Sequence, residues 1–174
     1  VKIKNNMRVC ILGAGLSSLT LAKALVNQNI YVDLYAQKKI NSLNKSRTIG
    51  ISKSNIEFFN DAIINVDKIA WKLKKIEIFS DNLRKEKLIN FENNKNVLFS
   101  IIKNENLFDV LEKSLSKDKY FKKINSLKNY DFLDNYNLVI NTDFTSPITK
   151  KYFSKKILKK YNSFAYTTIL KHEK

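Results

Sequence analysis

The sequence contains very few of the residues from which catalytic and metal sites are most often built. It has one cysteine, one histidine and one proline among 174 residues. A single cysteine excludes an internal disulfide and a cysteine-rich zinc site, and a single histidine excludes a histidine-based triad. No apolar run reaches the roughly 18 residues that a membrane span needs. We therefore expect no metal ion, no catalytic histidine or cysteine, and a cytoplasmic location.

Positive charge is abundant in this sequence, but it is spread along the chain. Lys and Arg number 32 and Asp and Glu 16, which gives a formal net charge of +16, and 29 of the basic residues are lysine. Lysine, asparagine and isoleucine all have codons rich in A and T, so a biased genome alone would produce this composition. A nucleic-acid-binding protein would be expected to cluster its charge, often with arginine and aromatic residues. We expect no specific nucleic acid, and peripheral contact with the inner face of an anionic membrane stays open.

Glycine is scarce, so the positions of the three glycines are informative. Two of them, Gly13 and Gly15, stand together between two apolar segments. The run before them, residues 7–12, is typical of a buried parallel strand, and apolar residues from Leu16 to Val26 recur at helical spacing. A second strand is predicted at residues 30–35. This order of strand, glycine turn, helix and strand is a βαβ unit.

The βαβ unit suggests a site for a dinucleotide. A pyrophosphate must approach the backbone at the positive N-terminal end of the helix, where Gly13 permits the turn and Gly15 leaves space. The full fingerprint has a third glycine, where this chain has Ser18. An acid that would hold a ribose is expected at position 36, which is Ala36, and Gln37 could offer a neutral hydrogen bond instead. A purely structural turn without a ligand is the alternative interpretation.

Weaker patterns predict the remaining elements. Ser52 or Ser54 is expected to cap a short helix, and Ser146 and Pro147 suit the N-cap and first position of another. A longer helix is predicted from Asn104, with an apolar stripe at Leu107, Phe108, Leu111 and Leu115. Further strands are predicted at residues 75–80, 87–91, 96–102, 138–141 and 163–170.

Three of these stretches, taken with the glycine turn, resemble a known family. They are KSRTIGIS at residues 45–52, FSIIKNENLFDVL at 99–111 and YNLVINTDFTSPITK at 136–150. Their order resembles that of the FAD-dependent aromatic-ring hydroxylases, most closely those of ubiquinone biosynthesis. The resemblance implies an α/β fold with a Rossmann-like FAD-binding domain and a central, mostly parallel sheet over residues 1–160. Residues 161–174 would be the first strand of a truncated substrate domain, so we expect an N-terminal fragment of a family member.

The same resemblance implies which residues contact the cofactor. Arg47 falls where the family has an arginine beside the flavin pyrophosphate, and Asn104 falls at the start of a helix that borders the cofactor. Asp143 is the one residue kept from a G-A-D-G segment, whose glycines are replaced here by Asn141 and Phe144. The full set of implied cofactor-binding residues is Gly13, Ala14, Gly15, Leu16, Ser17, Ser18, Gln37, Arg47, Asn104 and Asp143.

The implied activity is hydroxylation of a phenolic ring by a FAD-dependent monooxygenase, with NAD(P)H as reductant and oxygen as co-substrate. In that family the flavin carries the chemistry, which agrees with the scarcity of histidine and cysteine. The implied substrate is a prenylated phenol. Three other functions stay open: a non-catalytic nucleotide-binding module, favoured by Ala36 and Phe144, a basic nucleic-acid-binding protein, favoured by the net charge, and an enzyme that uses only a nicotinamide cofactor.

Overall fold

A computed structural model describes residues 7–36, 47–80, 86–92, 97, 99–125, 130–153, 155, 157–166, 168 and 170. Gln37, one of the predicted cofactor residues, lies outside these ranges. In the described residues, no helix is long and apolar enough to cross a membrane.

Short strands and four helices make up the described chain. The strands are β1 (Arg8–Leu12), β2 (Tyr31–Tyr35), β3 (Thr48–Ser52), β4 (Ala70–Leu73), β5 (Lys75–Phe79), β6 (Lys87–Glu92), β7 (Phe99–Lys103), β8 (Phe121–Ile124) and β9 (Leu138–Asn141). The helices are α1 (Leu16–Val26), α2 (Lys53–Phe58), α3 (Asn104–Leu115) and α4 (Pro147–Tyr152). A π-helical turn over Phe59–Ile63 continues α2, and a 3₁₀ helix over Asp131–Asn135 precedes β9.

The central sheet has four strands in the order β8-β2-β1-β9, and all its neighbouring pairs are parallel. In β1, Val9 and Ile11 contact one hydrophobic cluster, whereas Cys10 and Leu12 contact a second one. This alternation follows from the two-residue period of a strand, and it means that both faces of the sheet are covered. The predicted α/β fold with a parallel central sheet is confirmed.

Helices α1 and α3 pack on the same face of the sheet and run in the same direction. The predicted stripe of α3 is buried there, with Leu107, Leu111 and Leu115 at most 1% exposed. Lys23, in the last turn of α1, lies 3.8 Å from the carboxylate of Asp118, which comes just after α3 ends. Because their C-terminal ends meet and their lengths are similar, both helices begin at the carboxyl edge of the sheet, where β1 also ends.

Two antiparallel sheets, β3-β7-β4 and β5-β6, lie outside the central sheet. Strands β3, β4 and β8, of four or five residues each, were not predicted from the sequence, although Ile49 and Ile51 alternate with polar or small residues in β3. The caps at Ser52 and Ser146 are confirmed, since each hydroxyl accepts a hydrogen bond from a first-turn amide.

The strand predicted at residues 163–170 is wrong for the part of it that the structure describes. Residues 163–166, 168 and 170 are in no strand, and Phe164, Tyr166 and Leu170 are 78–93% exposed. A strand is stable only when a neighbouring strand takes up its backbone hydrogen bonds, and alternating side chains alone do not supply that neighbour. The division of the chain at residue 160 stays a prediction.

Candidate functional site

The glycine turn (residues 13–15) lies at the carboxyl edge of the central sheet, between β1 and α1. Gly13 has a φ of +120°, which side-chain-bearing residues rarely adopt, and its N–H donates to the carbonyl of Tyr35 at 2.9 Å. A Cβ at this position would lie 2.2 Å from Oγ1 of Thr142. The fold itself therefore requires glycine at position 13, whatever the turn binds.

Gly15 differs from Gly13 because the fold does not require it. It is the N-cap of α1 with φ −80° and ψ 179°, and a Cβ built on it would meet no atom within 4 Å. The first helical hydrogen bond of α1 runs from the N–H of Leu19 to the carbonyl of Gly15. The amides of Leu16, Ser17 and Ser18 therefore have no carbonyl partner within the helix, and they border open space suited to an anion.

Ser18 occupies the place of the fingerprint's third glycine and joins the turn to β9. Its side chain is completely buried, and its hydroxyl lies 2.6 Å from Oγ1 of Thr142. The Thr142 hydroxyl donates to the carbonyl of Leu12 at 2.9 Å, so Ser18 is the donor in the first bond. Sequence reasoning missed Thr142, although its place directly after a strand predicted to lie in the central sheet was an available signal.

Arg47 and Asn104 are brought together at the start of α3. The N–H of Asn104 donates to the carbonyl of Arg47 at 3.0 Å, and the Arg47 side chain is exposed. The side-chain oxygen Oδ1 of Asn104 is buried without a hydrogen-bond partner among the described residues. Since α1 and α3 run in parallel, this pair lies at the same edge of the sheet as the glycine turn, although no described hydrogen bond joins the two groups.

Asp143 follows β9 beside the glycine turn, but its carboxylate already has partners. Its Oδ1 accepts from the N–H of Thr145 at 2.9 Å and from the Thr145 hydroxyl at 2.6 Å. Its backbone N–H lies 3.5 Å from the position of a Cβ on Gly13. Asp143 therefore lies beside the turn, its contact with the cofactor stays a prediction, and the neighbouring Phe144 is 77% exposed.

The end of β2 offers no acid for a ribose among the described residues. Ala36 is buried, and Asp33, in the middle of the strand, is hydrogen-bonded to other side chains of the protein. Its Oδ2 accepts from Arg8 Nη2 at 2.7 Å and from the hydroxyl of Tyr136 at 2.5 Å. Burial, and then the hydrogen bond to Asp33, raise the pKa of Tyr136 above its ordinary range. The Asp33 carboxylate therefore has a structural role, because it links β2 to Arg8 in β1 and to Tyr136 just before β9.

Cys10 lies in β1 directly opposite Asp33 in the register of the two strands. Its side chain is completely buried, and burial, followed by the negative charge of Asp33, raises the pKa of its thiol to about 12. A neutral, enclosed thiol is a poor nucleophile. In the described part of the chain, no three His, Cys, Asp or Glu side chains are grouped so that they could hold a metal ion.

The residues of this edge fit the pyrophosphate of a dinucleotide better than they fit its adenosine ribose. The amides of the first turn of α1, the open space at Gly15 and the N-terminus of α3 fit a pyrophosphate, because helix N-termini carry partial positive charge. The partnerless Oδ1 of Asn104 is an acceptor that a ligand hydroxyl could satisfy. The adenosine ribose finds no corresponding acid at Ala36.

Comparisons with known proteins give similarity in structure alone. No protein-family model matches the chain, and no curated protein matches its sequence. Among solved structures, PqsL of Pseudomonas aeruginosa, described as a probable FAD-dependent monooxygenase, superposes with a TM-score of 0.65 at 13% identity over 90% of this chain. The p-nitrophenol 4-monooxygenase PnpA of Pseudomonas putida gives 0.57 at 12% identity over 68% of this chain.

A third solved structure, 2,6-dihydroxypyridine-3-hydroxylase of Arthrobacter nicotinovorans, gives a TM-score of 0.51 at 15% identity over 68% of this chain. The alignments cover 48%, 31% and 28% of the lengths of these three proteins, so the chain spans less than half of each. Over the aligned part, the chain has the α/β fold of FAD-dependent monooxygenases that act on aromatic compounds.

Proposed function

We propose that this chain binds FAD at the carboxyl edge of its central sheet, as the FAD-binding part of a monooxygenase that hydroxylates a phenolic ring. The observation that carries the proposal is the open space at Gly15, bordered by the amides of the first turn of α1. A Cβ at this exposed position would meet no atom within 4 Å, so packing does not require a glycine there. A pyrophosphate that lies close to the backbone would explain why position 15 is a glycine.

The charge distribution at this edge supports an anionic ligand. Helix α1 has no acidic residue in its first turn, whereas the first turn of α3 carries Glu105, so α1 offers the more favourable N-terminus for an anion. The guanidinium of Arg47 is exposed next to the start of α3, where it could form charge-assisted hydrogen bonds with phosphate oxygens. In this proposal the first-turn amides and Arg47 hold the pyrophosphate, and Ser18 and Thr142 keep the turn in its shape.

Bound FAD, reduced by NAD(P)H, would supply the chemistry that activates oxygen. The chain's own part is to hold and orient the adenosine and pyrophosphate end of the cofactor. The resemblance of the four sequence segments to the hydroxylases of ubiquinone biosynthesis supports a prenylated phenol as the substrate. The names of two similar structures give a nitrophenol and a dihydroxypyridine as the compounds on which those proteins act.

A second candidate function is a nucleotide-binding module without oxidoreductase activity. It is favoured by two observations, the absence of an acid at Ala36 and the exposed Phe144 in place of a small residue beside the turn. Such a module would bind ADP and FAD with similar affinity, because only the shared pyrophosphate would be held. The monooxygenase proposal requires FAD to bind more tightly than ADP.

The decisive experiment is a titration of the purified chain with FAD, ADP and adenosine, followed by flavin fluorescence or calorimetry. We expect FAD to bind most tightly and adenosine least. Gly15→Val should abolish binding of FAD and ADP, whereas Gln28→Val, which places the same side chain just beyond the other end of α1, should leave it unchanged. Unaltered FAD affinity in Gly15→Val would overturn the proposed site. Equal affinities for FAD and ADP would instead favour the nucleotide-binding module.

A further inference from the structure

A cavity of about 470 Å³, here called the amino-edge cavity, lies where three neighbouring parallel strands of the central sheet begin. Arg8 begins β1, Tyr31 begins β2 and Phe121 begins β8, and each of them lines the cavity. The glycine turn lies at the other edge of the sheet, beyond the length of β1, which spans about 16 Å. The cavity is therefore separate from the proposed FAD site, and its volume is in the usual range for a small-molecule site.

The charge around the amino-edge cavity is positive. Its three cations are Arg8, Lys119 and Lys122, and its one acid is Asp33. Arg8 Nη2 lies 2.7 Å from Oδ2 of Asp33, so these two charges compensate each other. Lys119 and Lys122 have no acidic partner among the described residues, and the neighbouring acid Asp118 is paired with Lys23. Two positive charges are thus left for a ligand to balance.

Aromatic rings form another part of the wall. The rings of Tyr31 and Tyr120 meet edge to face with their centres 4.8 Å apart, and the ammonium of Lys119 lies 5.0 Å from the centre of the Tyr120 ring. Tyr31 is 43% exposed, so part of its ring is open to a ligand. A planar aromatic group could pack against it, because offset and edge-to-face contacts between rings are favourable.

A second cavity, of about 310 Å³, lacks this combination of charge and rings. It is lined by residues of α2, β4 and β7 together with parts of the adjoining loops. Each of its lysines faces an acid, since Lys53 lies 3.8 Å from Glu57 and Lys72 lies 3.7 Å from Asp67. The residues that line it include no aromatic ring. Its charges are balanced, so nothing in it selects an anion.

We propose that the amino-edge cavity binds a small aromatic molecule that carries a phosphate group. A phosphate monoester carries about 1.5 to 2 negative charges at pH 7, which matches the uncompensated ammonium groups of Lys119 and Lys122. The aromatic part of the ligand packs against Tyr31. An apolar segment of protein would be a poorer occupant, because it would partly desolvate two cations without supplying a counter-charge. The proposal does not depend on FAD binding, since none of the cavity's residues belongs to the proposed FAD site.

The test is a calorimetric titration of the purified chain with phenyl phosphate, inorganic phosphate and benzyl alcohol. We expect phenyl phosphate to bind about tenfold or more tightly than inorganic phosphate, because it adds the contact with the rings. Benzyl alcohol, which has a ring but no charge, should bind most weakly. Equal affinities for phenyl phosphate and inorganic phosphate would show attraction of an anion alone, and either that result or the absence of binding would overturn the proposal.

Paired lysine variants locate the bound phosphate. Lys119→Gln combined with Lys122→Gln should weaken binding of phenyl phosphate by about tenfold or more. Lys68→Gln combined with Lys74→Gln removes the same charge from exposed positions outside the central sheet and should change the affinity little. An equal loss in the two double variants would reduce the attraction to net charge and contradict the proposal.

Gly15→Val separates the amino-edge cavity from the glycine turn. We expect this variant to keep its affinity for phenyl phosphate, whether or not it loses FAD, because the turn lies at the opposite edge of the sheet. If Gly15→Val instead abolished binding of phenyl phosphate, the phosphate would lie at the glycine turn and the proposal would be wrong. Retained FAD affinity in the same variant would count against the proposed FAD site only.

Discussion

A Cβ placed on Gly13 would lie 2.2 Å from Oγ1 of Thr142, so the residues that follow β1 and β9 approach too closely for any side chain at position 13. Thr142 cannot easily give way, because its hydroxyl also bonds to the carbonyl of Leu12 and to Ser18. The contact separates two roles within the glycine turn: Gly13 serves the fold, and Gly15 serves the proposed ligand.

The first prediction concerns stability. Gly13→Ala should lower the free energy of unfolding by more than about 2 kcal/mol, because it adds a steric clash to the strain of a side chain at positive φ. Gly15→Ala should change it by less than about 1 kcal/mol, since its Cβ would meet nothing. Denaturant unfolding followed by circular dichroism measures both. Similar losses in the two variants would contradict the assignment of separate roles.

The second prediction concerns Ser18. Restoring the fingerprint with Ser18→Gly should destabilise the chain by about 1–3 kcal/mol, because it removes a buried hydrogen bond and places a flexible residue in the first turn of α1. Ser17→Gly, at an exposed neighbouring position, is the matched control and should cost no more than about 1 kcal/mol. If Ser18→Gly proved stabilising, the Ser18–Thr142 bond would contribute nothing to the fold.

The third prediction concerns Arg47. Arg47→Ala should weaken FAD binding by about tenfold or more, since a guanidinium bonded to a phosphate contributes about 1.5–3 kcal/mol. Adenosine, which has no phosphate, should bind equally well before and after the change. Lys53→Ala, which removes an exposed cation at the start of α2, should leave both affinities unchanged. Equal losses for FAD and adenosine would exclude Arg47 from contact with the pyrophosphate.

The fourth prediction concerns pH. The pKa of Cys10 is raised from 9.0 to about 12 in the folded chain, so the unfolded chain loses this proton first as the pH rises. The stabilising contribution of the protonated thiol is therefore complete below pH 9 and is lost between pH 9 and 12, by at most about 1.4 kcal/mol per pH unit. Unfolding should show a steeper loss of stability with pH in the wild type than in Cys10→Val, because Tyr136, whose pKa is also raised, contributes equally to both proteins. Parallel slopes in the two proteins would contradict the prediction.

The fifth prediction concerns the hydrogen bonds to the carboxylate of Asp33. Tyr136→Phe removes one of the two donors that satisfy the carboxylate of Asp33 and should destabilise the chain by about 1–3 kcal/mol. Tyr161→Phe removes the same hydroxyl from an exposed ring and should be neutral. Equal stability of both variants would show that Arg8 alone is sufficient for Asp33.

Short-range patterns in the sequence determined the βαβ unit and the helix α3. The apolar run of β1, the position of the glycines and the 3.6-residue spacing of Leu107, Leu111 and Leu115 are local signals, and each element formed where they predicted it. The Ser146-Pro147 cap was likewise readable, because capping depends on residues within one turn. The alanine at position 36 also indicated, from the sequence alone, that the acid expected to bind the ribose is absent at that position.

Only the tertiary structure decided which of these elements meet. The Ser18–Thr142 bond joins residues 124 positions apart, and the Tyr136–Asp33 bond joins residues 103 apart, so neither leaves a local pattern. The order β8-β2-β1-β9 likewise depends on which strands form hydrogen bonds with each other. Residues 121–124 form the short strand β8 because they pair with the free edge of β2. Residues 163–166, 168 and 170 were predicted to lie in a strand, but they have no strand partner among the described residues, because alternation of side chains does not by itself supply one.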